Sequence, residues 1–314
     1  MTDMTATARP SIADKRRRFH ELHREGCFVI PNPWDVGSAL YLQSLGFQAL
    51  ASTSAGFAWS IGRRDNGVDR DAMLAHLHDL VEVTDVPINA DFESGFGDDA
   101  AGVADSVRLA VEAGVAGLSI EDSTGNAAAP LFSLGDAVLR LRAARQAIDA
   151  TGGDTLLVGR AECFLVGRPD LDETIARLQA YANAGADCLY APGIADPAQI
   201  AAIVAAVAPK PVNVVVGGPS PLCVAEIAAL GVRRISVGGG LARIAWAGFM
   251  SAAQTLAEQG SFAGLSAAVP SKTLNGLFSP SAQIERSGIP LLPVQPGGQT
   301  ATLELVNAMR DASS

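Results

Sequence analysis

The sequence predicts a (β/α)8 barrel followed by a C-terminal helical and irregular extension. Three observations lead there. Eight short apolar runs recur along the chain with helix-spaced segments between them, the alternation that builds a parallel sheet wrapped by helices. Charged or hydroxyl side chains stand at the C-terminal ends of several runs, where barrels carry their chemistry. No run leads into a GxGxxG turn, which argues against the alternative, a doubly wound open sheet.

In order, the runs are Phe28–Pro31, Ala49–Thr53, Pro87–Asp91, Gly117–Glu121, Leu156–Arg160, Cys188–Ala191, Val212–Val216 and Arg234–Val237. Helical spacing fills Ala101–Ala113 before Gly114, and Leu134–Ala150 before Gly152. Asp170–Ala184 has an acidic first turn and a glycine stop at Gly185, as a capped helix should. Asp196-Pro197 opens a helix to about Val207, and Pro221 starts one that ends before Gly231. Leu241–Gln259 reads as a long apolar helix, and a short one is expected near Thr302–Arg310. The expected organisation is a flexible segment 1–17, a barrel 18–262, and an extension 263–314 that packs on the barrel or on a neighbouring subunit.

Composition suits this fold. Apolar residues make up 48% and aromatics only 5%, so the core is built of Ala, Val, Leu and Ile. The net charge of −10 argues against nucleic acid or an anionic membrane as partner. The four cysteines form no pair spaced as a zinc site or a redox CxxC. Lys15–Arg18 is not followed by an apolar run, so it is read as a solvated helix face rather than a secretory signal. No apolar stretch is long enough to span a membrane, and a cytoplasmic location is expected. His20, His23, His76 and His78 fall on helices away from strand ends, so surface positions and no catalytic histidine are expected.

The chemistry centres on Asn89–Gly97. Asp91 and Glu93 end an apolar run two residues apart, and strand alternation aims both to one side. Glu121-Asp122 ends the next run. Carboxylates gathered at strand ends suit a hard cation such as Mg²⁺, which prefers oxygen ligands and keeps several waters. Glycines at 217–218 and 238–240 follow the last two runs; they could bind phosphate, but tight turns needing positive φ are the preferred reading.

Taken together, Pro31-Asn-Pro-Trp-Asp35, Gly62-Arg-Arg-Asp65, Asp91–Gly97, Ile120-Glu-Asp122, Gly159-Arg-Ala-Glu162 and Ala184-Gly-Ala-Asp187 resemble the isocitrate lyase/phosphoenolpyruvate mutase superfamily. The match covers roughly residues 18 to 260. The resemblance implies Mg²⁺, with Mn²⁺ as an alternative, held directly by Asp91. Asp65, Glu93 and Glu121 would hold its waters. Arg160 would contact the substrate carboxylate, with Glu121 and Asp65 beside it in catalysis. Thr53, Ser54, Ala55 and Asn213 would hold the substrate's other groups. It also implies a homodimer or homotetramer with exchange of the eighth helix.

The departures are equally specific. Lyases of this family carry a Lys-Lys/Arg-Cys-Gly-His segment after the fourth strand, and phosphonate mutases a Lys-Thr-Asn-Ser segment. Here Asp122–Ser133 contains no Cys, Lys or His, and a Tyr190–Gly193 stretch replaces the mutase histidine after the sixth strand. Ser123–Ser133 is expected to be a mobile gate. Cys163 follows Arg160 closely but reads as a small buried hydrophobe. The expected function is Mg²⁺-dependent cleavage of a C–C bond, by retro-aldol or decarboxylation, in a small 2-oxo or 2-hydroxy carboxylate. The rivals are P–C bond chemistry on a phosphonate and a non-catalytic metabolite-binding barrel.

Overall fold

A computed structural model describes residues 9–279. Helix α1 (Ile12–Leu22) leads into β1 (Phe28–Ile30), α2 (Val36–Ser44) and β2 (Leu50–Ala51). Two helices, α3 (Ser54–Ser60) and α4 (Arg70–Val83), precede β3 (Ile88–Asp91). Then α5 (Ala100–Glu112), β4 (Gly117–Glu121), α6 (Leu134–Ala150), β5 (Leu156–Arg160), α7 (Leu171–Asn183) and β6 (Cys188–Tyr190) alternate. The series closes with α8 (Pro197–Val207), β7 (Val212–Val215), α9 (Val224–Ala229), β8 (Arg234–Ser236) and α10 (Gly240–Gln259). A 3₁₀ turn (Ala263–Ala267) and α11 (Ser271–Leu277) follow. One compact unit ends at Ala268 and a second begins at Val269. The helix expected near 302–310 lies outside the described residues.

All eight strands pair in parallel, in the order β1-β8-β7-β6-β5-β4-β3-β2. This is the expected (β/α)8 barrel, nearly closed. At the seam between β1 and β2, the Ala51 amide donates to Pro31 O at 3.1 Å. The Asn32 side chain reinforces the seam. It donates to Ser52 O (2.9 Å) and accepts from the Val237 and Gly238 amides (2.9 and 2.8 Å), tying the ends of β2 and β8 to β1.

Local chemistry explains the helix starts. Asp35, Asp69, Asp99, Asp170 and Asp196 each cap a helix by accepting from a first-turn amide, worth about 1 kcal/mol apiece. Strand alternation then sorts the barrel. Leu118, Ile120, Leu157, Leu189 and Ile235 are buried in the main apolar cluster with helix residues such as Val107, Leu141 and Tyr181. Their neighbours face inward. At the floor, Phe19 of α1 joins Ile30, Ala49, Ala51 and Leu156.

Three expectations are corrected here. Lys15–Arg18 is not simply a solvated face. Lys15 is buried and donates to Val81 O (2.8 Å) and Thr84 O at the end of α4. Arg16 donates to Val111 O (2.6 Å) and Val115 O (3.1 Å) beyond α5. These cations satisfy the orphan carbonyls and the negative dipole end of two helices. Residues 12–17, expected to be flexible, thus belong to α1. His23 and His76 are likewise buried rather than surface residues. His76 stacks on Phe57, with ring centroids 3.9 Å apart, and His23 packs edge-on against Phe19 and Phe28.

Candidate active site at the barrel mouth

Register brings the predicted acids together. Glu121 on β4 pairs laterally with Arg160 on β5, which pairs with Tyr190 on β6. Asp91 ends β3 two strands away. All are final residues of their strands, and alternation turns them inward. Asp122, one residue past Glu121, points away from this group. Its carboxylate accepts from the Glu162 amide (2.8 Å), from Arg177 (3.1 Å) and from the Tyr181 hydroxyl. One residue of the Glu121-Asp122 pair therefore serves the mouth and the other the packing of α7.

Arg160 lies in the middle of the acids. Its Nη1 reaches Asp91 Oδ1 at 2.9 Å and Glu121 Oε2 at 3.0 Å, and its Nε binds Glu162. Burial alone would lower the guanidinium pKa, but the charges of Glu121, Glu162 and Asp91 outweigh it and raise it well above its ordinary value. Nη2 makes no hydrogen bond among the described residues, and Arg160 lines the cavity. Its ring neighbour is Tyr190, whose centroid is 5.2 Å from the guanidinium carbon. Burial raises the Tyr190 phenol pKa, so it stays neutral.

Ser54 fixes Asp91 from the other side. Its amide and hydroxyl both donate to Asp91 Oδ2, at 2.9 and 2.8 Å. The Thr53 hydroxyl instead accepts from the Gly56 amide (3.2 Å) as the cap of α3. Ala55 lines the cavity with them. Asn213 is buried on β7. Its Oδ1 accepts from Arg234 (2.9 Å) and its amide nitrogen donates to the Ser236 hydroxyl (3.0 Å). The cavity holds about 610 Å³, room for a small carboxylate. The glycines at 217–218 and 238–240 border it too. A Cβ at Gly240 would come within 3.1 Å of Gly217 O, so close loop packing accounts for it.

Glu93 and Asp65 complete the acidic group. Glu93 adopts φ +47°, and Gly95 and Phe96 that follow have φ +92° and +51°. Non-glycine residues in this region cost about 1 kcal/mol or more each and persist only where the surroundings impose them. Among the described residues, the buried Glu93 Oε1 has no hydrogen-bond partner. Burial, then the charges of Asp91 and Asp65, push its pKa up to about 7. Asp65 stands in a solvent-exposed turn that borders the cavity. Partial loss of water around its carboxyl group, then the Asp91 charge, raise its pKa as well.

Five carboxylates thus face one guanidinium. Oxygen donors, an orphaned buried Oε1 and raised carboxyl pKa values fit a hard divalent cation. Among the described residues, however, no three His, Cys, Asp or Glu side chains converge as a metal cage. The chemistry of this donor set suits an ion that binds few carboxylates and keeps several waters, the habit of Mg²⁺.

Sequence reasoning gave Glu162 only an ion pair with Arg160 that neutralises the barrel mouth, which is present, and gave Tyr190 and Ser236 no role. Alternation along Cys188–Tyr190 and Arg234–Ser236 was the available signal for the latter two. Cys163 is fully buried, burial raises its thiol pKa, and it does not border the cavity. The segment 123–133 is a small hairpin, with Thr124 N bonded to Pro130 O (3.0 Å) and the Thr124 hydroxyl to Ala129 O (2.6 Å). Its tip, residues 125–129, is exposed.

Residues 19–257 match the family model for phosphoenolpyruvate phosphomutase. The chain is 33% identical to 2-methylisocitrate lyase of Escherichia coli, over 64% of this chain and 70% of that protein. It is 32% identical to oxaloacetate decarboxylase of Paraburkholderia xenovorans, over 70% and 74%. Among solved structures, 2,3-dimethylmalate lyase superposes with a TM-score of 0.77 at 25% identity, covering 88% of this chain and 97% of that one.

Proposed function

Because this chain belongs to the phosphoenolpyruvate phosphomutase family, we propose that it is a Mg²⁺-dependent lyase cleaving a C–C bond in a small 2-oxo or 2-hydroxy carboxylate. The observation that carries this reading is the acid cluster around Arg160: one fixed cation and a surplus of oxygen donors at the strand ends. The relatives point the same way, since they include a C–C lyase and a decarboxylase.

Decarboxylation of a 3-carboxy-2-oxo acid leaves an enolate beside the retained carboxylate. Retro-aldol cleavage of a 2-hydroxy acid turns the hydroxyl beside the carboxylate into a carbonyl, while the C–C electron pair leaves on the other fragment, which takes up a proton. In both reactions electron density changes at the oxygen beside the carboxylate. A bound Mg²⁺ would act as a Lewis acid toward that oxygen. Asp91, oriented by Ser54, would be its direct ligand. Arg160 would bind the substrate carboxylate through Nη2 while Nη1 and Nε stay on the acids. Asn213, its amide oriented by Arg234 and Ser236, would contact the substrate's polar end. Tyr190 holds a neutral hydroxyl proton at the same rim. A buried, fixed cation aimed at developing charge is worth about 3 kcal/mol in such sites.

The test measures Mg²⁺ binding by calorimetry and pyruvate or CO₂ release from a panel of 2-oxo and 2-hydroxy carboxylates. Both should be present in the wild type and lost together in Asp91→Ala. Phosphate release from phosphonopyruvate would favour P–C chemistry, and binding of keto acids without turnover would favour a binding barrel. We also propose a homodimer or homotetramer built through α10. That helix exposes Ile244, Trp246, Phe249 and Met250, with Ile244 71% and Phe249 63% exposed. A monomer in sedimentation would exclude it.

A further inference from the structure

We infer that Arg140 of α6, which does not border the cavity, is a positioning residue that clamps the acid-bearing loop 92–98 to the base of the 123–133 hairpin. The inference rests on the reading of Asp91 and Glu93 as a cation site.

The loop carries three consecutive demands. Glu93 and Phe96 hold positive φ without being glycine, and Gly97 presses so closely on α5 that a Cβ would lie 2.3 Å from Val103 N. Among the described residues, the Ser94, Gly97 and Asp98 carbonyls of this loop accept from no backbone amide. Arg140 collects them. Its Nη1 donates to Gly97 O at 2.8 Å and Ser94 O at 3.4 Å, and its Nη2 to Asp98 O at 2.7 Å. The side chain is buried, and among the described residues it has no carboxylate partner. All of its hydrogen bonds serve this one loop.

The flat face of the guanidinium serves a second segment. It lies 4.0 Å from the Phe132 ring centroid. Phe132 is anchored in turn: its amide donates to Asp122 O (2.9 Å) and its carbonyl accepts from Arg177 (3.1 Å). Arg177 also holds the Asp122 carboxylate. A contact chain therefore runs from the loop after Asp91, through Arg140 and Phe132, to the residue after Glu121. Both acid-bearing strand ends are referred to one fixed post. A planar fork can reach three carbonyls at its edge and stack on its face at once; an ammonium cannot.

The experiment uses full-length Arg140→Lys and Arg140→Met. Hydrogen exchange is followed in 92–98, in 123–133 and in the distant helix α8, together with Mg²⁺ affinity by calorimetry. In both variants, exchange in 92–98 should accelerate at least tenfold with α8 unchanged. Mg²⁺ binding should weaken about 10- to 100-fold, as for other groups that orient a metal ligand. Wild-type behaviour in Arg140→Lys would overturn the inference, because charge alone would then suffice. So would unchanged exchange at 92–98 in Arg140→Met, or acceleration spread equally through α8. If the wild type itself bound no Mg²⁺, the cation reading would fail, and local exchange would still decide the clamp.

Discussion

At the scale of single residues, Arg160 and Cys163 separate electrostatics from thiol chemistry. Arg160 pairs with Asp91, Glu121 and Glu162, and its Nη2 has no hydrogen bond among the described residues. Arg160→Ala leaves buried acids without their counter-charge, which costs about 3–5 kcal/mol of stability and removes turnover. Added Mg²⁺ should restore part of the stability, since a cation would again face Asp91. Urea unfolding with and without Mg²⁺ measures this, and an identical loss in both conditions would argue against a cation among these acids. Cys163→Ser should keep most activity, because a fully buried thiol with a raised pKa is a poor acid–base group. A folded but inactive Cys163→Ser enzyme would reverse this division of roles.

At the scale of elements, the 123–133 hairpin is the part of the mouth expected to move. Among the described residues the hydrogen bonds of 123–130 are internal, its tip is exposed, and the base is anchored at Phe132 and at Ser133, which caps α6. Elements with few outside contacts open at low free-energy cost, and lids of this kind exclude water on closing. Limited proteolysis should cut first within 124–130. Oxalate with Mg²⁺ should slow that cut several-fold, whereas equal rates with and without the pair would show that the hairpin does not respond to the site. Both the absence of Cys, Lys and His here and the run of small residues were readable in the sequence. That Phe132 is gripped by Arg140 and Arg177 was not, because Arg177 comes from a helix distant in the chain and Arg140, in the very next helix, is aimed at Phe132 by the loop 92–98 that it also binds.

At the scale of the whole molecule, buried histidines link stability to pH. Burial lowers the His76 pKa to about 4, and burial with the nearby Arg234 charge lowers that of His23 to about 3. In the unfolded chain both titrate near 6.5. Below that value the unfolded state binds more protons, so the fold loses stability as pH falls from about 6.5 toward 4. From pH 7 to pH 5 each histidine contributes about 2 kcal/mol of loss. His76→Phe, which keeps the stack on Phe57, should flatten the difference between urea midpoints at pH 7 and pH 5 by that amount. Equal pH dependence in the variant and the wild type would place the titrating groups elsewhere.

The sequence by itself determined the barrel, its eight strands and the acids at the mouth. Period-two alternation and strand ends are local properties, and they put Asp91, Glu121 and Arg160 on one face before any contact is known. Helix caps such as Asp170 and Asp196 were legible for the same reason. Tertiary structure alone decided what each charge does. It turned Lys15 and Arg16 inward onto the carbonyl ends of α4 and α5, where a run of four cations with no apolar stretch after it suggested a solvated face. It set Arg160 among three acids, left Glu93 Oε1 without a partner among the described residues, and gave Asp122 to α7 instead of the mouth. Spacing along the chain gives direction, but the partner of a charge is fixed by which strands and helices the closed barrel brings side by side.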